Sequence, residues 1–226
     1  MSNHFSAPAA GRVCAVVGLS ALVAACASLD VQSNYQPPRN EAIQNSIVVQ
    51  KPFDQAWDAF VRKLSQSFFV VNTISKESRL ISITVTGPRA DEYFDCGRLT
   101  STVNGQQWAY APGGSAQYHY ESFPTETTIQ HSVSSRGSRM NIFIAPDGSG
   151  TVFEVNSTYS VSMKQNGQSV VKNVFGQVRG RDYLPTSTAT FAFTTRTIDT
   201  QLFGTTEISC QATGVWEREI LSLASS

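Results

Sequence analysis

The sequence predicts an α+β fold in which an antiparallel β-sheet buries one face under an amphipathic helix over 52–67 and a C-terminal helix over 213–224. Three observations lead there. One stretch carries an unbroken helical stripe, several others alternate with the period of strands, and hairpin-type turn residues sit between neighbouring strands.

The elements follow in order. "NSIVVQ" (45–50) reads as a first strand. In "KPFDQAWDAFVRKLSQSF", Phe53, Ala56, Trp57, Phe60, Val61, Leu64 and Phe68 recur at helical spacing, while Asp54, Gln55, Asp58, Arg62 and Lys63 fill the other face. Pro52 suits a first turn, Asp54 favours the positive end of the helix dipole, and Trp57 on the stripe reads as core. "FFVVNTI" (68–74) and "RLISITVTG" (79–87) read as strands joined by the short loop "SKES", and the second alternates Ile81, Ile83 and Val85 with Ser82, Thr84 and Thr86. "RMNIFIA" and "TVFEVNSTYSVSMKQ" flank the turn Pro146-Asp147-Gly148-Ser149-Gly150. Asn166-Gly167 predicts a second hairpin with "QSVVKNVFGQV" returning, and "TATFAFTTR" (188–196) adds a strand. Trp216, Ile220 and Leu223 place the closing helix.

Ahead of the domain, the apolar run from Val13 to Leu29 is interrupted by Gly18 and Ser20, and its centre is shorter than the ~20 residues a spanning helix needs. The preceding segment holds Arg12 and the amino terminus as positive charges and no acid, the layout of a secretory signal peptide. Val23-Ala24-Ala25-Cys26 resembles the lipobox of bacterial lipoproteins. The resemblance implies removal of a signal peptide over 1–25, a diacylglyceryl thioether on Cys26 and acylation of the new amino terminus. At ~0.8 kcal/mol per buried methylene, several chains anchor lastingly where one is reversible. Ala27, not the aspartate that resembles an inner-membrane retention signal, follows the cysteine, so the expectation is lipid anchoring to the cell outer membrane, facing the periplasm.

Residues 26–44 read as a lipidated tether stiffened by Pro37-Pro38, reaching up to ~60 Å, and residues 45–226 as a single domain. Arg12 leaves with the signal while all 17 acidic residues stay, so the 17 basic residues fall to 16 and the net charge to −1. That balance argues against nucleic acid as a partner. Cys14 also leaves and Cys26 is consumed by lipid. Cys96 and Cys210 remain, and an even count in an oxidising compartment predicts a disulfide between them. The only histidines of the mature chain, His119 and His131, are distant from both cysteines in sequence, so neither a metal nor a cofactor is expected.

Residues 45–87, from the first strand through Pro52 and the Trp57-bearing helix into a β-hairpin, resemble the start of the helix-grip domains in the BamC/NlpB group of outer-membrane lipoproteins. The resemblance implies a helix-grip-like fold and a place in the envelope.

Residues 105–137 hold Trp108, Tyr110, Tyr118, Tyr120 and Phe123 amid Gly, Ser and Pro. A long irregular stretch in a compact domain is either functional or flexible. Two readings stay open: exposed aromatics that grip a protein, glycan or lipid, or strand residues packed beneath the surface. His131 shares parity with Ile129 and Val133 and reads as a satisfied sheet histidine. Asp91, Glu92 and Asp95, among Arg89 and Arg98, read as solvated ion pairs, not as an acid/base pair. With no nucleophile, zinc or phosphate-loop motif in its required context, the chain is not expected to be an enzyme. Two functions remain. One is a lipid-anchored envelope component that offers its sheet or its 105–137 segment to a protein partner. The other is a carrier of a small apolar ligand or lipid in a cavity beneath the 52–67 helix, lined by Ile81, Ile83, Val85, Phe191 and Phe193.

Overall fold

The structure, a computed structural model, describes residues 31–85, 90–103, 106–135 and 138–225. The expected signal peptide, Cys26 and Arg89, together with the side chains of Val85 and Asp91, lie outside the described residues. Among the described residues no helix is long and apolar enough to cross a membrane.

The chain opens with strand β1 (Val31–Gln36), β2 (Ser46–Val49) and helix α1 (Phe53–Leu64), then the hairpin β3 (Val70–Ser75) and β4 (Leu80–Val85). A helical turn, α2 (Ala90–Tyr93), leads to β5 (Phe94–Asp95), β6 (Arg98–Val103), β7 (Gln106–Tyr110), β8 (Ala116–Ser122) and β9 (Thr125–Ser135). Then come β10 (Ser138–Asp147), β11 (Gly150–Lys172), β12 (Val178–Thr194), β13 (Asp199–Phe203), β14 (Thr206–Ala212) and helix α3 (Val215–Ser225). The architecture is mostly antiparallel sheet with two longer helices, α+β in the broad sense.

The 23-residue β11 is the spine. Along one edge run β10 and then β9, end to end; along the other run β2 and then β12. β4 and β3 widen the lower half beyond β10, and β8 widens the upper half beyond β9. A base and a projecting arm result. The odd-numbered side chains of β11 from Phe153 to Met163 face the core, where α1 and α3 cover the base. Phe60 of α1 meets Phe153 with ring centroids 5.2 Å apart, and truncating such a fully buried ring costs ~3–5 kcal/mol. Ile81, Ile83, Phe191 and Phe193 are buried in this same continuous cluster.

One carboxylate enters that core. Glu217, fully buried in the first turn of α3, accepts hydrogen bonds from the Tyr159 hydroxyl (3.1 Å) and from Thr195 Oγ1 (2.8 Å). Its place in the first turn sets it beside the backbone amides that a helix start leaves without intrahelical partners. Tyr159 in turn stacks between Phe193 and Trp216, at 5.1 and 5.6 Å. This ties the last helix to the spine.

The expected disulfide joins Cys96 and Cys210. β5 pairs with β14 through Asp95 and Gln211, so the bond staples two adjacent segments 114 residues apart in sequence, immediately before α3.

Four sequence expectations are corrected. Residues 31–44 of the expected tether belong to the fold: β1 pairs along its whole length with β6, and Tyr35 bonds to the backbone at Cys96 and Ser209. A polar, alternating stretch such as "VQSNYQ" makes a good edge strand once a partner exists, and nothing local announces the partner. The irregular middle is ordered into β7, β8 and β9. Asn166-Gly167 is not a turn; it sits in mid-strand, where the β11–β12 register slips between Gln165 and Gly167, and the real turn lies at 173–177. Phe68 falls beyond the end of α1 and is exposed.

Candidate aromatic groove

β7 is an outer strand of a small sheet, β1–β6–β7, that folds over the arm. After Tyr110 the chain turns at 111–115 and returns as β8. With period-two alternation Trp108 and Tyr110 share one side of β7, and Tyr118 and Tyr120 share one side of β8. The two pairs meet: Tyr110 packs on Tyr118 at 4.8 Å and Trp108 on Tyr120 at 5.5 Å. These are ordinary aromatic contacts, each contributing ~0.5–1.5 kcal/mol beyond area burial.

Between the small sheet and the arm lies a groove of about 260 Å³, bounded by these four rings and by Leu99, Ile129, Phe203 and Ile208. Polar groups line it too: Gln165 of β11 with Ser187 opposite on β12, and Ser33, Ser101, Thr205 and Thr206. The groove therefore begins where the inward-facing row of β11 changes from Met163 to Gln165, and core gives way to an open surface.

Burial pushes the Tyr110 phenol up to about 12, and burial, reinforced by Tyr110, pushes Tyr118 higher still. Both stay protonated at any ordinary pH. The Tyr118 hydroxyl is buried and has no hydrogen-bond partner among the described residues. Beside it, His131 is buried, as its parity predicted. Its Nε2–H donates to the Pro112 carbonyl at 2.7 Å, and its ring lies 5.4 Å from Tyr110 and 5.5 Å from Phe203. Desolvation lowers its pKa, so the ring is neutral and Nδ1 is a buried acceptor without a partner. An unsatisfied buried polar atom costs ~1–3 kcal/mol. Such a groove suits an apolar body carrying a group that hydrogen-bonds Tyr118.

Of the five aromatics singled out in the sequence, the structure brings four together. Phe123 stands apart, 74% exposed in the turn between β8 and β9. Phe203, Ile208, Gln165 and Ser187 come from distant stretches and carry no local signal. Asp95 spends an oxygen on the Gly97 amide (2.8 Å), while Glu92 is exposed. A larger cleft of about 620 Å³ lies between residues 36–43 and the β14–α3 junction; its lining is polar and includes Arg39, Arg98 and Arg218. His119, Glu121 and Glu126 converge within 4.8 Å on the arm, but Glu126 already holds the Lys172 ammonium. That cluster is an exposed ion-pair network. No family model matches the chain, and neither a curated protein nor a solved structure does.

Proposed function

We propose that this protein is a lipid-anchored, non-enzymatic component of a bacterial outer membrane that faces the periplasm and grips an apolar side chain of a protein partner in the aromatic groove. One observation carries the reading: four aromatic rings from two strands surround a groove in which the buried Tyr118 hydroxyl has no hydrogen-bond partner among the described residues. At about 260 Å³ the groove is smaller than most pockets for whole ligands, ~300–1,000 Å³, and better matched to one or two side chains. The lipobox-like run ending at Cys26 supports the anchor. A helix-grip relationship is proposed on the same footing, from α1 and α3 lying over the sheet; the carrier reading then moves from the space beneath α1, filled by Phe60 and Phe153, to the aromatic groove.

Site-directed photocrosslinking in the producing cell tests this. A benzophenone at position 120, inside the groove, should trap a discrete protein, and Trp108→Ala should abolish the adduct. A label at 117, on the outer side of β8, should not trap it. Recovery of a small apolar molecule at 120 in place of a protein favours the carrier, and no adduct of either kind sinks both readings.

A further inference from the structure

The end of the arm is apolar where turns are ordinarily polar. Val174 and Phe175, in the turn between β11 and β12, are 77% and 84% exposed, and Val178 follows them. Lys172 N–H donates to the Pro124 carbonyl at 2.8 Å, so the neighbouring β8–β9 turn brings the exposed Phe123 to the same end. The turn is built to hold this shape. Asn173 Oδ1 accepts from the amides of Phe175 (3.0 Å) and Gln177 (2.9 Å), and the Asn173 amide donates to the Gln177 carbonyl (2.9 Å). Rings held outward by a pre-formed turn lose little conformational entropy when they are buried.

The charges are graded along the arm. Arg179 stands nearest the turn together with Lys172, whose ammonium reaches back to Glu126; Glu126 and Glu121, in the row of Val170, and Asp182, opposite Ser169, stand further back. Arg179 and Arg181 have no ion-pair partner among the described residues.

Strand register shows which end this is. Val31, where the described chain begins, pairs with Val103, which pairs with Gln106. Trp108 meets Tyr120 and Tyr110 meets Tyr118, so moving along β7 toward Gln106 is moving along β8 toward Ser122 and the Phe123 turn. The amino-terminal chain thus enters at the apolar end. From Cys26 to Val31 is five residues, which span at most ~18 Å at ~3.3–3.6 Å each. Phe175 lies four residues beyond Val171, the row at which Ser122 and Thr125 pair, and since β11 ends at Lys172 and the chain then turns, this is at most ~13 Å at ~3.3 Å per residue.

From this juxtaposition we infer that the arm tip is a second membrane contact: Val174, Phe175 and Phe123 enter the lipid interface, with Arg179 at the phosphate level, and the domain stands on the bilayer tip-first. The inference rests on the anchor reading, since the five-residue reach from Cys26 is what brings this end to the bilayer. Interfacial apolar groups bury ~5–10 Å into the headgroup boundary, and cations beside them gain from anionic lipid. The tip then adds a contact to the acyl chains and orients the aromatic groove, which opens just behind it.

The test uses the full chain, purified in detergent and reconstituted into vesicles of phosphatidylethanolamine and phosphatidylglycerol. Phe175→Cys and, at the opposite end, Ser149→Cys in the β10–β11 turn are labelled with nitrobenzoxadiazole without reductant, so that the Cys96–Cys210 bond stays closed. Lipid carrying a shallow nitroxide should quench the label at 175 several-fold more than that at 149, and Val174→Asp beside the label should reduce the difference. Intact mass on the same samples reports acylation of Cys26. Equal quenching at both positions in an acylated protein overturns the tip contact and leaves the anchor standing. An unacylated Cys26 overturns the anchor and with it the orientation. A label at 175 that reports an apolar environment and cross-links to a second copy, without lipid quenching, assigns the tip to self-association and overturns the membrane contact.

Discussion

Tyr35 and Ser209 are locked together across 174 residues: the Ser209 amide donates to the Tyr35 hydroxyl oxygen at 2.9 Å, and the hydroxyl reaches the Ser209 and Cys96 carbonyls, both at 3.1 Å. The first described strand is thereby fastened to the backbone on both sides of the disulfide. Any pull on the amino terminus is borne by β1, β6 and this junction.

Tyr35→Phe removes the hydroxyl and leaves the Ser209 amide without its acceptor. The expected loss is ~1–3 kcal/mol, or a fall in Tm of several degrees at ~2–4 °C per kcal/mol for a chain of this size. Gly97→Ala should loosen the same junction, because Gly97 has φ +75° and a Cβ there would overlap the Gln36 carbonyl oxygen. Proteolysis within 31–44, followed by mass spectrometry, should speed up in both variants.

Opening the Cys96–Cys210 bond should destabilise the fold by ~2–5 kcal/mol, since a closed loop of this length strongly restricts the unfolded chain. Both sulfurs are buried, so reductant alone should act slowly and only through opening. Urea unfolding of the wild type and of the Cys96→Ala/Cys210→Ala pair measures the difference. Equal midpoints would show that the staple contributes nothing.

Tyr118→Phe should separate stability from binding. Removing a buried hydroxyl that has no partner is expected to leave the free protein as stable or more stable by ~1 kcal/mol, while partner capture at the groove weakens. Thermal denaturation and the crosslinking yield at position 120 report the two effects. A Tyr118→Phe protein that is less stable by more than ~1 kcal/mol would mean the hydroxyl is satisfied within the fold.

His131 makes stability depend on pH. Burial lowers its folded pKa below the ~6.5 of an unfolded histidine, so the unfolded chain binds a proton first as pH falls. The stability due to the neutral ring is complete above about 6.5 and declines as the pH drops from there toward the folded value. Tm should therefore fall between pH 7.5 and 5.5, and His131→Gln should flatten that slope.

Local pattern was enough for some of this. The 3.6-residue stripe through Ala56, Trp57, Phe60 and Leu64 marks a helix whatever it packs on, and the alternation of Ile81 and Ile83 marks a strand. Pro146 to Gly150 marks a turn because its dihedral preferences are local, and the Cys96–Cys210 bond is the one that the cysteine count predicts for a chain expected in an oxidising compartment. Partnership is different in kind. Trp108, Tyr110, Tyr118 and Tyr120 become a groove only because the small sheet folds over the arm, and "VQSNYQ" becomes a strand only because β6 offers its edge. Asn166-Gly167, a hairpin signal by local preference, is held extended as a slip in register by β9 and β12 on either side. Periodicity is written in neighbours along the chain; hydrogen-bond partners and burial come from residues far away, and those only the folded chain could assign.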